Sequence, residues 1–425
     1  MTLLHDQTPG QPNAATDLRS EASLRDRYLK VRNTTEALAA PLSGEDQVVQ
    51  SMPNASPAKW HRGHTTWFFE TFLLPHLSGY RVFDDRFSYL FNSYYEAVGE
   101  RHARHQRGLL TRPSIDEVAD FRRHVDEHMV ELIDSGDTAL AELIELGLHH
   151  EQQHQELLLM DIKHAFSINP LRPAYRDDTH AATPAPQAGW RQFSGGLVDV
   201  GHDGSGFAFD NEGPRHQVFL QPFELADAPV TNGEWINFIE DGGYETVGLW
   251  LSEGWANCVD AGWKHPAYWS HDDDGGWQIF TLAGTKPVDP NEPVSHVSYM
   301  EADAFARWAG ARLPTEFEWE HAAGDEPVVG NFMDADRLHP GGPTEASTRL
   351  FGDTWEWTSS PYIAYPGFTI AEGAVGEYNG KFMVNQQVLR GGCSFTPGGH
   401  TRVTYRNFFP TSTRWHCSGV RLARG

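Results

Sequence analysis

Apolar residues recur at helical spacing through roughly the first 175 positions of this chain and lose that rhythm afterwards. Leu24, Tyr28, Val31 and Leu38 predict a helix within 18–42, closed by Ser43-Gly44. Pro57 opens a second helix at Ala58, and the run from Trp60 to Leu74 carries it to Pro75 with an aromatic side that must be buried. Ser114-Ile115-Asp116-Glu117 has the form of a capping box; it starts a third helix that runs to about Asp134, with Gly136 after it. A fourth extends from Thr138 to about Ile168, where Asn169-Pro170 ends it. Between the second and third lie a long aromatic stretch, Tyr80 to Gly99, and an Arg/His-rich piece up to Arg112-Pro113. Connections of that length in compact domains tend to be functional. Four helices with one long crossover make a bundle, and metal sites are commonly assembled in bundle cores.

Residues 176–189 read as a linker by composition. The expected division is therefore a flexible start over 1–17, a helical bundle over 18–175, the linker, and a second domain over 190–425. Beyond Trp190 the pattern becomes short apolar runs, such as Leu197–Val200 and Gln217–Leu220, set between Gly, Asp and Pro clusters. Two short helices interrupt it, Asn232–Glu240 after the cap Thr231 and Tyr299–Gly310. The fold class is multidomain, an α bundle followed by an α+β domain with much irregular structure. The content of 14 Trp, 24 Phe and 13 Tyr beside 40 Gly suggests that aromatic clusters hold that irregular part together.

Charge narrows the partners. With 58 acidic against 33 basic residues and a formal charge of −25, the chain is ill suited to grip nucleic acid or an anionic membrane. Small molecules are the expected partners. Cys258, Cys393 and Cys417 lack disulfide or zinc-type spacing, which fits a reducing cytoplasm. The polar start lacks the apolar core of a signal peptide, and no later run approaches a membrane-spanning length. A cytoplasmic protein is expected. No pattern encodes its oligomeric state.

The candidate chemistry lies in Leu148-His149-His150-Glu151-Gln152-Gln153-His154-Gln155-Glu156-Leu157. Residues four apart share a helix face, so His150 and His154 can direct both imidazoles at one point. The plain alternative is a solvated polar helix. Against it, the neighbouring Leu140, Leu143, Ile144, Leu157, Leu158 and Leu159 place this helix in a core.

The second domain carries Asn211-Glu212-Gly213-Pro214, Pro229-Val230-Thr231-Asn232, Arg312-Leu313-Pro314-Thr315-Glu316, Trp355-Glu356-Trp357-Thr358 and Leu389-Arg390-Gly391-Gly392, in the order of the formylglycine-generating-enzyme fold, which it resembles. Formylglycine makers of that fold have a cysteine pair just after Arg-Gly-Gly. Here the matching stretch, Cys393 to Thr401, has threonines at those places. Taken with Ser56-Pro57-Ala58-Lys59-Trp60-His61-Arg62-Gly63-His64 and the His150/His154 motif, the whole chain resembles the nonheme-iron sulfoxide synthases of ergothioneine biosynthesis, which join a DinB-like four-helix bundle to this α+β fold.

That resemblance implies an O2-dependent enzyme in which Fe(II), held by His64, His150 and His154, brings the imidazole of hercynine together with a thiol and forms a carbon–sulfur bond and a sulfoxide. His61 and His149 are the nearby alternative ligands. Gln153 matches a position that helps hold hercynine, Tyr378 a substrate-binding tyrosine, and Asn407 a contact to hercynine's carboxylate. One branch of the family has a catalytic tyrosine where this chain has Val375; the pair Tyr94-Tyr95 resembles the replacement used by another branch and supplies the expected proton donors. Branches that take γ-glutamylcysteine show Asn-Trp-Asp where this chain has Asn407-Phe408-Phe409, and an apolar Phe409 cannot pair with the glutamyl ammonium. Free cysteine is the expected donor. Arg107 is a candidate for its carboxylate, a surface arginine being the alternative. The competing functions are a selenoneine-type or other thiol–histidine synthase of the same superfamily, and a non-catalytic lectin-like binding protein.

Overall fold

The computed structural model describes residues 22–177, 183–184, 189–324, 326–341, 350–370 and 374–425. The bundle begins at α1 (Leu24–Ala39), whose N-cap Ser23 accepts a hydrogen bond from the Asp26 amide. Helix α2 (Ala58–Phe72) follows Pro57 and is buried without interruption from Ala58 to Glu70. The expectation of one buried side is thus exceeded, because α2 is the central rod, enclosed by α1 and by the three helices that follow. The long connection is not featureless. It contains α3 (Arg86–Phe91) and a 3-10 turn over Arg104–Leu109, and Gln50 ties it down through the Arg104 carbonyl and the Gly108 amide. Helix α4 (Ile115–Asp134) starts on the Ser114/Glu117 capping box. A 3-10 turn over Thr138–Leu140 leads into α5 (Ala141–Ile168), whose 28 residues span about 42 Å.

Trp67, Phe68, Phe69, Phe121, Val125, Met129 and Leu159 are fully buried between these helices. Each large apolar side chain contributes about 1.5–3 kcal/mol of transfer free energy. Inside this apolar mass, Glu151 of α5 receives hydrogen bonds from Arg32 at 2.8 Å, Arg122 at 3.0 Å and Thr35 at 2.7 Å. Burial alone would raise its pKa, but the two guanidiniums outweigh that and hold it at about 2. The network fixes the rotation of α5 about its axis, and with it the direction in which the adjacent His150 points.

Among its described residues the second domain contains four small sheets. Trp190–Phe193 and Ala423–Arg424 both pair antiparallel with Phe223–Ala226, so the last strand returns to the sheet of the first, on the other side of the strand between them. Gly196–Val200 and His216–Leu220 form a hairpin, Trp269–Pro287 a three-stranded meander, and Asn407–Pro410, Gln386–Arg390, Trp355–Pro361 and Ser418–Gly419 the central sheet. Among its described residues it has four helices where two were expected: α6 (Asn232–Glu240), α7 (Ser252–Asp260), α8 (Tyr299–Trp308) and α9 (Glu316–Ala323). Of the two additions, α7 has no side-chain cap to mark its start, whereas Thr315 and Glu318 of α9 form a capping box that sequence reasoning missed. The linker expected over 176–189 and the flexible start over 1–17 lie wholly or largely outside the described residues.

Helix α5 belongs to both halves. Its Leu148, Glu151 and Gln155 face the bundle. On the other side Glu156 accepts hydrogen bonds from Trp355 at 2.7 Å and Thr396 at 2.6 Å, and Lys163 meets His296 at 2.6 Å. One continuous hydrophobic cluster runs through bundle and second domain. No described helix is long and apolar enough to cross a membrane.

Candidate metal centre

Helices α2 and α5 bring His64, His150 and His154 together, with one nitrogen of each within 4.8 Å of the others. His64 Nε2 lies 3.1 Å from His150 Nε2, and the His154 ring centroid is 4.7 Å from both neighbours. His64 Nδ1 donates to the Phe91 carbonyl at 2.6 Å, which leaves its Nε2 as a bare lone pair. Gly63 permits that contact, since a Cβ there would sit 2.2 Å from the Phe91 ring. Indoles cover both faces of the His64 ring, Trp60 at 4.6 Å and Trp67 at 5.5 Å.

His61, one turn before His64, does not enter the triad. Its Nδ1 lies 2.8 Å from His154 Nδ1, and its Nε2 lies 3.1 Å from the Asp161 carboxylate. Asp161 accepts from His61 Nε2–H, so His61 Nδ1 accepts from His154, and His154 Nε2 is left free to face the centre. Such a carboxylate–imidazole series behind a ligand orients it and raises its basicity. His149 points the other way, stacked on Phe207 at 4.0 Å. Burial pushes the pKa of His64 and His154 well below the usual histidine range, helped by the neighbouring imidazoles, and that of His150 to about 3. His150 Nδ1 is buried without a hydrogen-bond partner among the described residues. Three neutral imidazoles converging on one point suit a divalent first-row metal and leave coordination positions open. Close approach of bare nitrogens is unfavourable unless a cation or a shared proton lies between them, so the residues present fit such an ion.

Arg107 is not on the surface. It is buried, its guanidinium lies 3.3 Å over the Trp60 ring, and its hydrogen-bond partners are the hydroxyls of Ser56 and Ser93. Burial, with Arg104 adding to it, pushes its pKa down to about 8. Gln153 is not an exposed helix glutamine either. It donates to the Tyr405 hydroxyl at 2.7 Å and accepts from the Tyr378 hydroxyl. Tyr378 stands edge-on to His150 at 5.8 Å and stacks on Phe209. Tyr94 and Tyr95 stack on each other at 4.6 Å; Tyr94 meets Tyr378 and Tyr95 meets Trp67, so each approaches the histidines across one intervening ring. Burial raises the pKa of both phenols. Glu377 accepts from the amides of Glu96 and Ala97, and Lys381 donates to the Tyr94 carbonyl, which clamps this loop onto the second domain.

Asn407, Phe408 and Phe409 lie on the edge strand of the central sheet. Asn407 bonds the Phe408 amide, Phe408 stacks on Tyr362 at 4.0 Å, and Phe409 stacks on His416 at 4.2 Å. The side chain of Val375 lies outside the described residues. Sequence reasoning missed Asp161, His400 and Tyr405. Asp161 had a signal, seven residues after His154 on the same helix face, whereas His400 and Tyr405 come from a loop with none.

A helical bundle and an irregular α+β domain that enclose a three-imidazole centre define a two-part metal-site protein. Residues 27–158 match the DinB superfamily, and residues 180–349 match the sulfatase-modifying factor enzyme 1-like domain. The hercynine oxygenase of Mycolicibacterium smegmatis is 37% identical over 311 residues, 65% of this chain and 70% of that protein. The hercynine oxygenase of Mycobacterium tuberculosis is 36% identical over 245 residues, 51% of this chain and 56% of that protein. Ergothioneine biosynthesis protein 1 of Schizosaccharomyces pombe is 29% identical over 240 residues, 51% of this chain and 28% of that protein. The chain thus spans about half of the second relative and about a quarter of the third. It belongs to the hercynine oxygenase family.

Proposed function

We propose that this protein is an O2-dependent nonheme Fe(II) sulfoxide synthase that joins the sulfur of cysteine to the imidazole of hercynine in ergothioneine biosynthesis. The observation that carries this reading is the convergence of three neutral imidazoles, two buried and His154 half-buried, in a member of the hercynine oxygenase family. His64, His150 and His154 would hold Fe(II), which supplies oxygen activation and a common point for both substrates.

The surrounding side chains have the remaining work. Gln153 and Tyr378 form the polar wall beside His150 and orient the substrate ring. Asn407 binds the carboxylate of hercynine, and the aromatic faces of Phe408, Tyr362 and Phe382 suit its trimethylammonium group. Arg107 has hydroxyl partners and a nearby indole but no carboxylate partner among the described residues, so an incoming cysteine carboxylate would stabilise a cation that burial disfavours. Phe409 packs on His416 and Trp415 and has no charge to offer a glutamyl group. Tyr94 and Tyr95 keep their protons at neutral pH and act as donors.

Anaerobic loading with Fe(II), followed by air, hercynine and cysteine, should give a hercynine–cysteine sulfoxide by mass spectrometry. Absence of that product overturns the activity. A clear preference for γ-glutamylcysteine overturns the donor, and formation of product only with a selenium donor favours the selenoneine reading. A lectin-like protein with an inert bundle would bind no stoichiometric iron.

A further inference from the structure

Gln153 precedes the ligand His154, and the two ends of its amide are nearly the same size, so packing alone does not decide which end faces the centre. A row of polar contacts does. Glu145, one turn before His149 on α5, has its carboxylate 3.9 Å from His149 Nε2, too far for a hydrogen bond but close enough for its charge to favour the tautomer protonated there. His149 Nδ1 then has a lone pair, 3.0 Å from His400 Nδ1, and His400 must donate to it. His400 Nε2 is left as an acceptor and takes the Tyr405 hydroxyl proton at 3.1 Å. With that proton committed, the Tyr405 oxygen accepts from Gln153 Nε2 at 2.7 Å, which turns Gln153 Oε1 to the Tyr378 hydroxyl. With His149 protonated on Nε2, each link sets the next. The opposite polarity would start from a proton on His149 Nδ1 and leave Nε2 bare against a carboxylate. His400 and Tyr405 are buried, so water does not readily substitute for a missing link. Burial, reinforced by Arg402, holds the His400 pKa well below its usual range, consistent with a neutral ring carrying one proton.

We propose that Glu145, His149, His400 and Tyr405 are positioning residues that lock the Gln153 amide with its carbonyl toward Tyr378 and the open face of the histidine triad. The wall beside His150 is then an acceptor surface. The Tyr378 proton is committed to Gln153, so Gln153 Oε1 and the Tyr378 oxygen have only lone pairs left to offer. Such a wall selects a substrate ring that presents an N–H, and a reversed amide would repel it. The outer end of the row opens on a cleft of about 1710 Å³ lined by Glu145, His149 and Phe207, so the orientation of a group beside the metal centre is set from the protein surface. The assignment of the ring to hercynine rests on the proposed function; the polarity of the row does not.

Two measurements test it. In full-length protein with ¹⁵N-labelled histidine, the ring shifts should report His400 as the Nδ1–H tautomer and His149 as the Nε2–H tautomer. A neutral His400 protonated on Nε2, or a cationic His400, overturns the polarity. In Fe(II)-loaded protein without O2, calorimetry should find hercynine bound about 3- to 10-fold more weakly by Tyr405→Phe and His400→Leu at unchanged iron content, the scale of one lost neutral hydrogen bond. His400→Gln, whose side-chain oxygen can accept the Tyr405 proton, should stay within about 2-fold of the parent, less than the loss of such a bond. Equal losses in the Leu and Gln variants, or loss of iron along with affinity, would mean that the row only packs. If the parent protein binds no hercynine, the proposed function fails while the tautomers still decide the polarity.

Discussion

On the bundle side of the centre, the imidazoles and the carboxylates behind them come from regular helix: His61 and His64 from α2, His150, His154 and Asp161 from α5, with Glu151 anchoring α5 from behind. On the opposite side, Phe209, Tyr378, His400 and Tyr405 come from separate irregular segments that are held in place by one another's side chains. The backbone fixes the first set and side-chain hydrogen bonds fix the second. Changes to side chains carried on loops should therefore alter what binds and reacts without removing the metal, and changes to the helix-borne imidazoles should remove the metal itself.

The hardest test of that contrast is His150→Ala, which should abolish turnover and lower Fe(II) affinity by more than the roughly 10- to 100-fold typical of losing an outer partner. Metal content by mass spectrometry checks it, and full iron occupancy would refute the ligand assignment. The matching change away from the helices is the double variant Tyr94→Phe, Tyr95→Phe, in the bundle's long connection that Glu377 and Lys381 clamp onto the second domain. It should keep iron and hercynine and lose about 10²- to 10⁴-fold in sulfoxide formation, the scale of a missing proton donor. Oxygen uptake with wild-type product yield in that variant would remove these tyrosines from the chemistry.

Glu151 gives a stability test. Its pKa is held at about 2, below the unfolded value near 4.5, so it contributes stability that is fully present above pH 4.5 and lost as pH falls toward 2. The size is on the order of 3 kcal/mol. Glu151→Gln should be destabilised by that order at pH 6, and its difference from the parent should shrink by pH 3, as read by urea unfolding. A difference independent of pH would mean that packing rather than charge holds α5. His61→Ala comes next, with a loss of about 10- to 100-fold in iron affinity and the triad still in place. If His61→Ala instead behaved like His150→Ala, the inner and outer roles would need exchanging. The smallest effect is expected for Glu377→Gln, which loosens an exposed clamp on the Tyr94 loop. It should lower the rate by about 2- to 5-fold, as befits an exposed ion pair, and speed amide exchange at Glu96 and Ala97, leaving iron content untouched.

The bundle was legible because its evidence is local. Capping at Ser114, the stop at Asn169-Pro170 and the four-residue spacing of His150 and His154 all act within one or two turns, and the structure agrees with each. The short helices α7 and α9 were not read: α7 lacks the side-chain cap that marked α6, and the Thr315/Glu318 box of α9 sits in a segment whose other residues set up no period. Helix geometry alone does not separate His61 from His64, since residues three apart on α2 can both face α5; the resemblance favoured His64. Only the placement of Asp161 and the Phe91 carbonyl separates them, by giving His61 a partner behind His154 and His64 a partner that frees its inner nitrogen. Arg107 likewise read equally well as surface or site until Trp60 and the Ser56 hydroxyl were seen beneath and beside it. The sequence by itself determined that His150 and His154 share one face of a buried helix, because helix geometry turns spacing into direction. The direction of each hydrogen bond, the polarity of the Gln153 amide and the burial that keeps the imidazoles neutral were decided by tertiary structure alone, because each depends on a partner some 27 to 250 residues away that packing brings into contact.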